Sequence, residues 1–352
     1  MTIALKLNKE RLLNSVKTAL ACLIAFSIVY YFKLPMGAWI IITVIVVMGN
    51  QINVGGVVLK SIIQFFGVVT GTLIALVLLY IYGDQAIALT ITLFISIFLF
   101  SYVASSEKEY HSAGLLGATT IIVILFSENP TYQTALYRFF EISTGIFIAF
   151  LISKFILPIH AYQKMYGTMA EVSEHFSTLY ASLWKKSTEE HDFFSEQEEA
   201  VIAIFSKQRE LVKEAMNELS TRIVNRTMYS KVLNSQRQVF RYICLMHQAL
   251  LKSPIPPELM PHVGLFNDHV QWWLEQLSRG LKERDFKLES NKISSRELIP
   301  LLQGLNATPL PSSSHQLAVD AFFFCALSLV RELRRLTRLS IILIDRRNKK
   351  GV

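Results

Sequence analysis

The sequence is short of charge, short of cysteine, and lacks the small motifs that carry enzyme chemistry. Only 18% of its 352 residues are charged while 52% are apolar, and the mean hydropathy is +0.38; a soluble domain carries about 25% charge. There is no glycine-rich phosphate loop, no HExxH, no nucleophile elbow and no cysteine pair of metal-binding spacing. Neither an enzyme nor an ATP site is therefore expected, and no cofactor or metal. The three cysteines, Cys22, Cys244 and Cys325, fall in apolar or amphipathic helical patterns, as reduced packing residues of a membrane and cytosolic protein do. No module that interleaves aromatic and basic residues is present, so nucleic acid is excluded as a partner. The formal net charge of +8 is scattered and suits a surface beside anionic lipid.

What the chain does have is apolar length, crowded into its first 158 residues. Six runs, at about 16–32, 34–48, 57–82, 86–104, 112–127 and 132–158, read as membrane spans. The first follows a basic start (Lys6, Lys9, Arg11), as a signal peptide would, but no small-x-small cleavage site comes after it. The fold class expected is all-α, with a six-helix transmembrane domain over 1–158 and a cytoplasmic α-helical domain over 159–352. Short loops place Lys6, Lys9, Arg11, Lys60, Lys108, Lys154 and Lys164 on one side and Lys33, Asp84 and Glu128 on the other, so both termini are expected in the cytoplasm. A weak internal repeat is visible. Lys60 and Arg138, Gly67 and Gly145, and Gly71 and Ala149 are each 78 residues apart, while Gly37 and Gly114, and Thr43 and Thr120, are each 77 apart. Spans one to three would then match spans four to six in inverted orientation, a 3+3 design common in transporters.

The sixth run holds a cation and an acid, Arg138 and Glu141. Charges at membrane depth cost about 2.5–3.5 kcal/mol each on insertion scales and normally face a partner or a wet cavity. Helical periodicity puts Arg138, Glu141, Gly145 and Ala149 on one face. That face reads as the lining of an anion path, with Lys60, Lys17 and Gln64 as further members. The plainer alternatives are that Lys60 and Arg138 snorkel to the two interfaces, that Lys17 anchors the first span, and that Glu141 only neutralises Arg138 rather than carrying a proton. Gly67 with Gly71, and Gly145 with Ala149, have the spacing of close helix packing. The link 49–56 is a polar turn, and His111 stands alone as a loop residue.

Beyond Pro158 the pattern becomes amphipathic. Helices are expected at about 161–187, 195–252, 262–282 and 314–345, with a short one near 294–304. Ser195 and Glu198 form a capping box at the start of the second, and the proline-rich 253–261 ends it. In the last helix Asp320 and Arg331 confine the apolar core to a length too short to span.

Several of these residues carry a family resemblance. Lys17-Thr-Ala-Leu opening the first span, Pro35 with Trp39, Gly67-Val-Val-Thr-Gly71-Thr, and Arg138-x-x-Glu141-x-x-x-Gly145 leading to Pro158 together resemble the fusaric acid resistance and aromatic acid exporter family. The resemblance implies export of aromatic or other organic carboxylates, driven by the proton gradient, by a six-helix unit that works in pairs. The layout is also similar to that of the plant aluminium-activated malate transporters, which are anion channels. The chain departs from these patterns in three places. Gln64 stands where many exporters carry Arg. One membrane unit is present where many have two, so a homodimer would supply the second. Ile159-His160-Ala161 follows Pro158 in place of a Trp-Glu-Pro signature. Three readings follow: an exporter of small organic acids, a passive organic-anion channel, and a membrane-anchored scaffold acting through its helical domain.

Overall fold

Apolar backbone must pair its own N–H and C=O groups in hydrocarbon, and helix is the local way to do it. The computed structural model describes residues 9–34, 37–49, 51–82, 85–106, 110–127, 130–184, 188–218, 226–252, 260–286 and 313–348, and among them every regular element is α-helix. Lys6, Pro35, Asn50, Asp84, residues 107–109, Glu128, the break at 253–259 and the expected short helix at 294–304 lie outside the described residues.

The six apolar runs form α1 (Lys9–Phe32), α2 (Ala38–Met48), α3 (Val54–Tyr82), α4 (Ala86–Ala104), α5 (His111–Leu125) and α6 (Tyr132–Phe155). Four of them, α1, α3, α4 and α6, are long and apolar enough to cross a membrane. The other two are shorter than their runs suggested: α2 has 11 residues and α5 has 15. At 1.5 Å per residue they reach about 16 and 22 Å, short of a hydrocarbon core of about 30 Å. The local sequence explains the shortening of α2. Lys33 adopts a left-handed φ of 50° and the Leu34 N–H donates to the Val29 carbonyl at 3.2 Å, a Schellman stop that ends α1. At its other end α2 stops at Met48, before Gly49, as its run suggested.

The chain divides into two compact units, 1–161 and 162–352. In the first, α3 packs on α5 and α6, α2 on α6, α1 on α2 and α6, and α4 on α5 and α3, with lighter contacts between α2 and α3 and between α5 and α6. Glycines set the closest approaches. A Cβ on Gly67 would lie 2.5 Å from the Ala113 carbonyl oxygen, and one on Gly71 would lie 2.6 Å from that of Gly117. On α6, a Cβ at Gly145 would lie 2.7 Å from the Ile40 carbonyl oxygen of α2, and Ala149 beside it is fully buried.

The second unit contains α7 (Ala161–Ser182), whose first residue belongs to the unit before, α8 (Thr188–Met216), α9 (Arg226–Lys252), α10 (Met260–Glu283) and α11 (Ser313–Asn348). Two expectations are corrected here. The single helix over 195–252 is two helices, because α8 closes in a turn at Asn217, whose side chain donates to the Lys213 carbonyl at 2.9 Å. Ser195 is not an N-cap: α8 already begins at Thr188, and Ser195 sits two turns inside it. The unit is held by apolar stripes whose centre includes Phe176, Phe205 and Phe240 in mutual ring contact. Buried polar groups tie the helices in register. Gln236 on α9 donates to the Met169 carbonyl of α7 at 2.9 Å and accepts from Gln208 of α8 at 3.2 Å. Trp273 of α10 donates to Thr337 of α11 at 3.0 Å.

Candidate functional site

Arg138 and Glu141 stand on consecutive turns of α6. Thr131 caps that helix by accepting the Thr134 N–H at 3.3 Å, so Arg138 lies two turns inside it. Arg138 Nη1 donates to Glu141 Oε2 at 3.4 Å, and the two residues are 6% and 5% exposed. A pair so hidden exchanges a large desolvation cost for mutual attraction, and losing either partner strands the other. The guanidinium also sits over the half-buried ring of Trp39 on α2, 4.9 Å from its centroid, where the ring's quadrupole attracts a cation. The Arg138 Nε has no hydrogen-bond partner within the protein.

Beside the guanidinium is a cleft of about 30 Å³ between α2, α5 and α6, lined among others by Trp39, Thr43, Thr119, Thr120, Arg138 and Ile142. That volume suits about one or two waters. Thr43 and Thr120 spend their protons on their own helices, donating to the Trp39 and Leu116 carbonyls at 2.7 and 2.6 Å. What they offer the cleft is oxygen lone pairs, which suit the guanidinium and water.

The other candidate residues are spread over two further helices. Lys60 on α3 is half-buried, and its Nζ donates to the Val46 carbonyl in the last turn of α2 at 2.6 Å. It thus occupies a helix C-terminus, where positive charge is favoured, and the two cations spaced by the repeat are used differently. Lys17 on α1 is 1% exposed, on the same face as Asn14, which donates to the Met48 carbonyl at 3.5 Å. Gln64 on α3 is fully buried with both amide atoms unpartnered. Arg138 and Glu141 are thus brought together, whereas Lys60 is engaged elsewhere. Three contributors were not anticipated. Trp39 entered only through the family resemblance, and its place over Arg138 depends on helix packing. Thr43 and Thr120 were noted only for their spacing, which did signal that they are related. Among the described residues no three of His, Cys, Asp and Glu gather as a metal site requires.

Residues 11–339 match the fusaric acid resistance protein family. The chain belongs to that family. Inner membrane protein YeeA of Escherichia coli is 25% identical over 236 residues, 67% of this chain and 64% of its own length. A UPF0421 protein of Bacillus cereus is 25% identical over 167 residues, 46% of this chain and 45% of its own length. The chain therefore spans less than two thirds of the length of either relative. As a member of the fusaric acid resistance protein family with four membrane-length helices, it is a multi-pass membrane protein.

Proposed function

We propose that this protein is an inner-membrane exporter of small aromatic carboxylic acids, driven by protons and acting as a homodimer. One observation carries the reading: a guanidinium and a carboxylate, both hidden from solvent and 3.4 Å apart, sit within a membrane-length helix, and the guanidinium borders a small cleft with threonines in its wall. Arg138 would take the substrate carboxylate, and Glu141 would hold Arg138 between cycles and accept the coupling proton. Lys17, Lys60 and Gln64 would line the approach from the cytoplasm, which both termini and a helical bundle over 162–352 share. The cleft is too small for an aromatic acid as it stands, which favours alternating access over a standing channel.

An inverted repeat of six helices is supported by the packing. Exchanging α1 with α4, α2 with α5 and α3 with α6 turns the list of packed pairs into itself. Gly37 against Val29 of α1 has its counterpart in Gly114 against Phe100 and Ala104 of α4. The homodimer would pair two copies of this six-helix unit, by analogy with exporters that carry two. Export of radiolabelled 4-hydroxybenzoate from cells carrying Arg138→Ala or Glu141→Gln tests the reading, with equal amounts of protein in the membrane. Export is expected to fall in both. Undiminished, pH-responsive export in both would defeat it.

A further inference from the structure

A second, larger concavity lies on the same unit, away from the cleft. A groove of about 470 Å³ runs between α3 and α6, walled by Phe65, Phe140, Phe147 and Phe150, with Ser61 and Ser143 among them and no charged residue in its lining. The volume is that of a small-molecule site. The two serines make it more than an apolar furrow. Buried hydroxyls without a partner also occur away from the groove, at Thr72 and Ser153, but many in the membrane unit are satisfied within their own helices: Thr70 donates to the Phe66 carbonyl at 2.9 Å, Ser96 to Thr92 and Ser27 to Leu23, also at 2.9 Å. Ser61 and Ser143 do not do this. Ser61 is 4% exposed, and both Oγ atoms are buried without a partner. An unsatisfied hydroxyl in a dry environment costs free energy that a ligand can recover.

We propose that this groove binds an uncharged aromatic molecule, its ring among the phenylalanines and an acceptor oxygen taking the hydroxyls of Ser61 and Ser143. For the acids of the transport reading, on which the choice of ligand rests, the bound form is the protonated acid. A carboxylate here would lose its hydration and gain no counter-charge, because no charged residue lines the groove. The groove also lies on the seam of the repeat, since Phe65 and Ser143 are 78 residues apart, as Lys60 and Arg138 are.

The test is equilibrium binding of tritiated 2-naphthamide, neutral at every working pH, to the full chain in dioleoylphosphatidylcholine nanodiscs. Saturable, pH-independent binding is expected. Ser61→Ala and Ser143→Ala should each weaken it about five- to tenfold, the worth of one hydrogen bond, while Thr70→Val leaves it unchanged and melting temperatures stay level. Labelled 2-naphthoic acid should bind roughly a hundredfold tighter at pH 5 than at pH 7, tracking the protonated fraction of a carboxylic acid. Absence of saturable binding, or equal affinity in the double serine variant as a lipid chain in the groove would give, overturns the inference. If naphthamide binds as expected while export ignores Arg138 and Glu141, only the transport reading falls. If export needs those two residues while the double serine variant binds like the parent, only the groove falls.

Discussion

Arg138 lies over the indole of Trp39, 4.9 Å from the ring centroid, while its Nη1 reaches back 3.4 Å to Glu141 one turn along α6. The guanidinium is thus held from two helices, by a ring on one side and a carboxylate on the other.

Removing one member of this pair should therefore harm the fold more than removing both. Breaking a buried pair costs about 3–5 kcal/mol, whereas replacing both partners by apolar residues of similar size is often neutral. Arg138→Met and Glu141→Leu are each expected to lower the melting temperature of the purified protein. The double variant should recover most of the loss while exporting nothing. A double variant less stable than both singles would show that the pair is not coupled.

The glycines divide into two groups with opposite outcomes. At Gly67 and Gly71 a methyl group would collide with backbone oxygen of α5, which cannot swing aside, so Gly67→Ala and Gly71→Ala should lower folded yield sharply. At Gly167 in α7 and Gly264 in α10 nothing lies within 4 Å of the added carbon. There the alanine variants should stabilise by about 0.5–1 kcal/mol through helix propensity. Fluorescence-detected size exclusion and thermal melts separate the two groups.

Lys60 tests whether a predicted path residue also serves the fold. Its ammonium closes the last turn of α2 through the Val46 carbonyl, a contribution of about 0.3–1 kcal/mol. Lys60→Met is expected to speed amide exchange in the C-terminal turn of α2. Exchange there that matches the parent protein would remove the capping role.

Much of this architecture could be read in the sequence, and the parts that could not share a cause. The positions of the apolar helices follow from composition, and the joint face of Arg138 and Glu141 follows from their separation of three residues. The helix break after Asn217 was missed because no proline or glycine marks it and the helical pattern runs on through charged residues on either side. Ser195 misled because a capping box has meaning only where a helix starts, and 188–194 are already helical. The ring of Trp39 over Arg138, and the free hydroxyls of Ser61 and Ser143, depend on what a neighbouring helix brings, which periodicity along one helix does not encode.

Cys244 gives a chemical handle on the second unit. Burial and the adjacent Glu198 carboxylate, whose Oε1 lies 3.9 Å from Sγ, push its thiol up to about 12. At pH 8 its thiolate is then on the order of a thousandfold scarcer than that of an ordinary cysteine. Alkylation by iodoacetamide, followed peptide by peptide, should be correspondingly slow in the folded protein. Glu198→Gln removes a like charge, lowers the pKa and should speed the reaction. An unchanged rate in that variant would mean that burial alone governs the thiol.

The pairing of α3 with α4 and α5, and of α6 with α1 and α2, means that each compact trio borrows a helix from the far side of the sequence. A ribosome that has delivered only α1 to α3 has made neither trio. The α3–α4–α5 trio can close once α5 emerges, whereas α1 and α2 have to wait for α6, and a chain severed between α3 and α4 would yield two fragments that regain shape only by clasping one another.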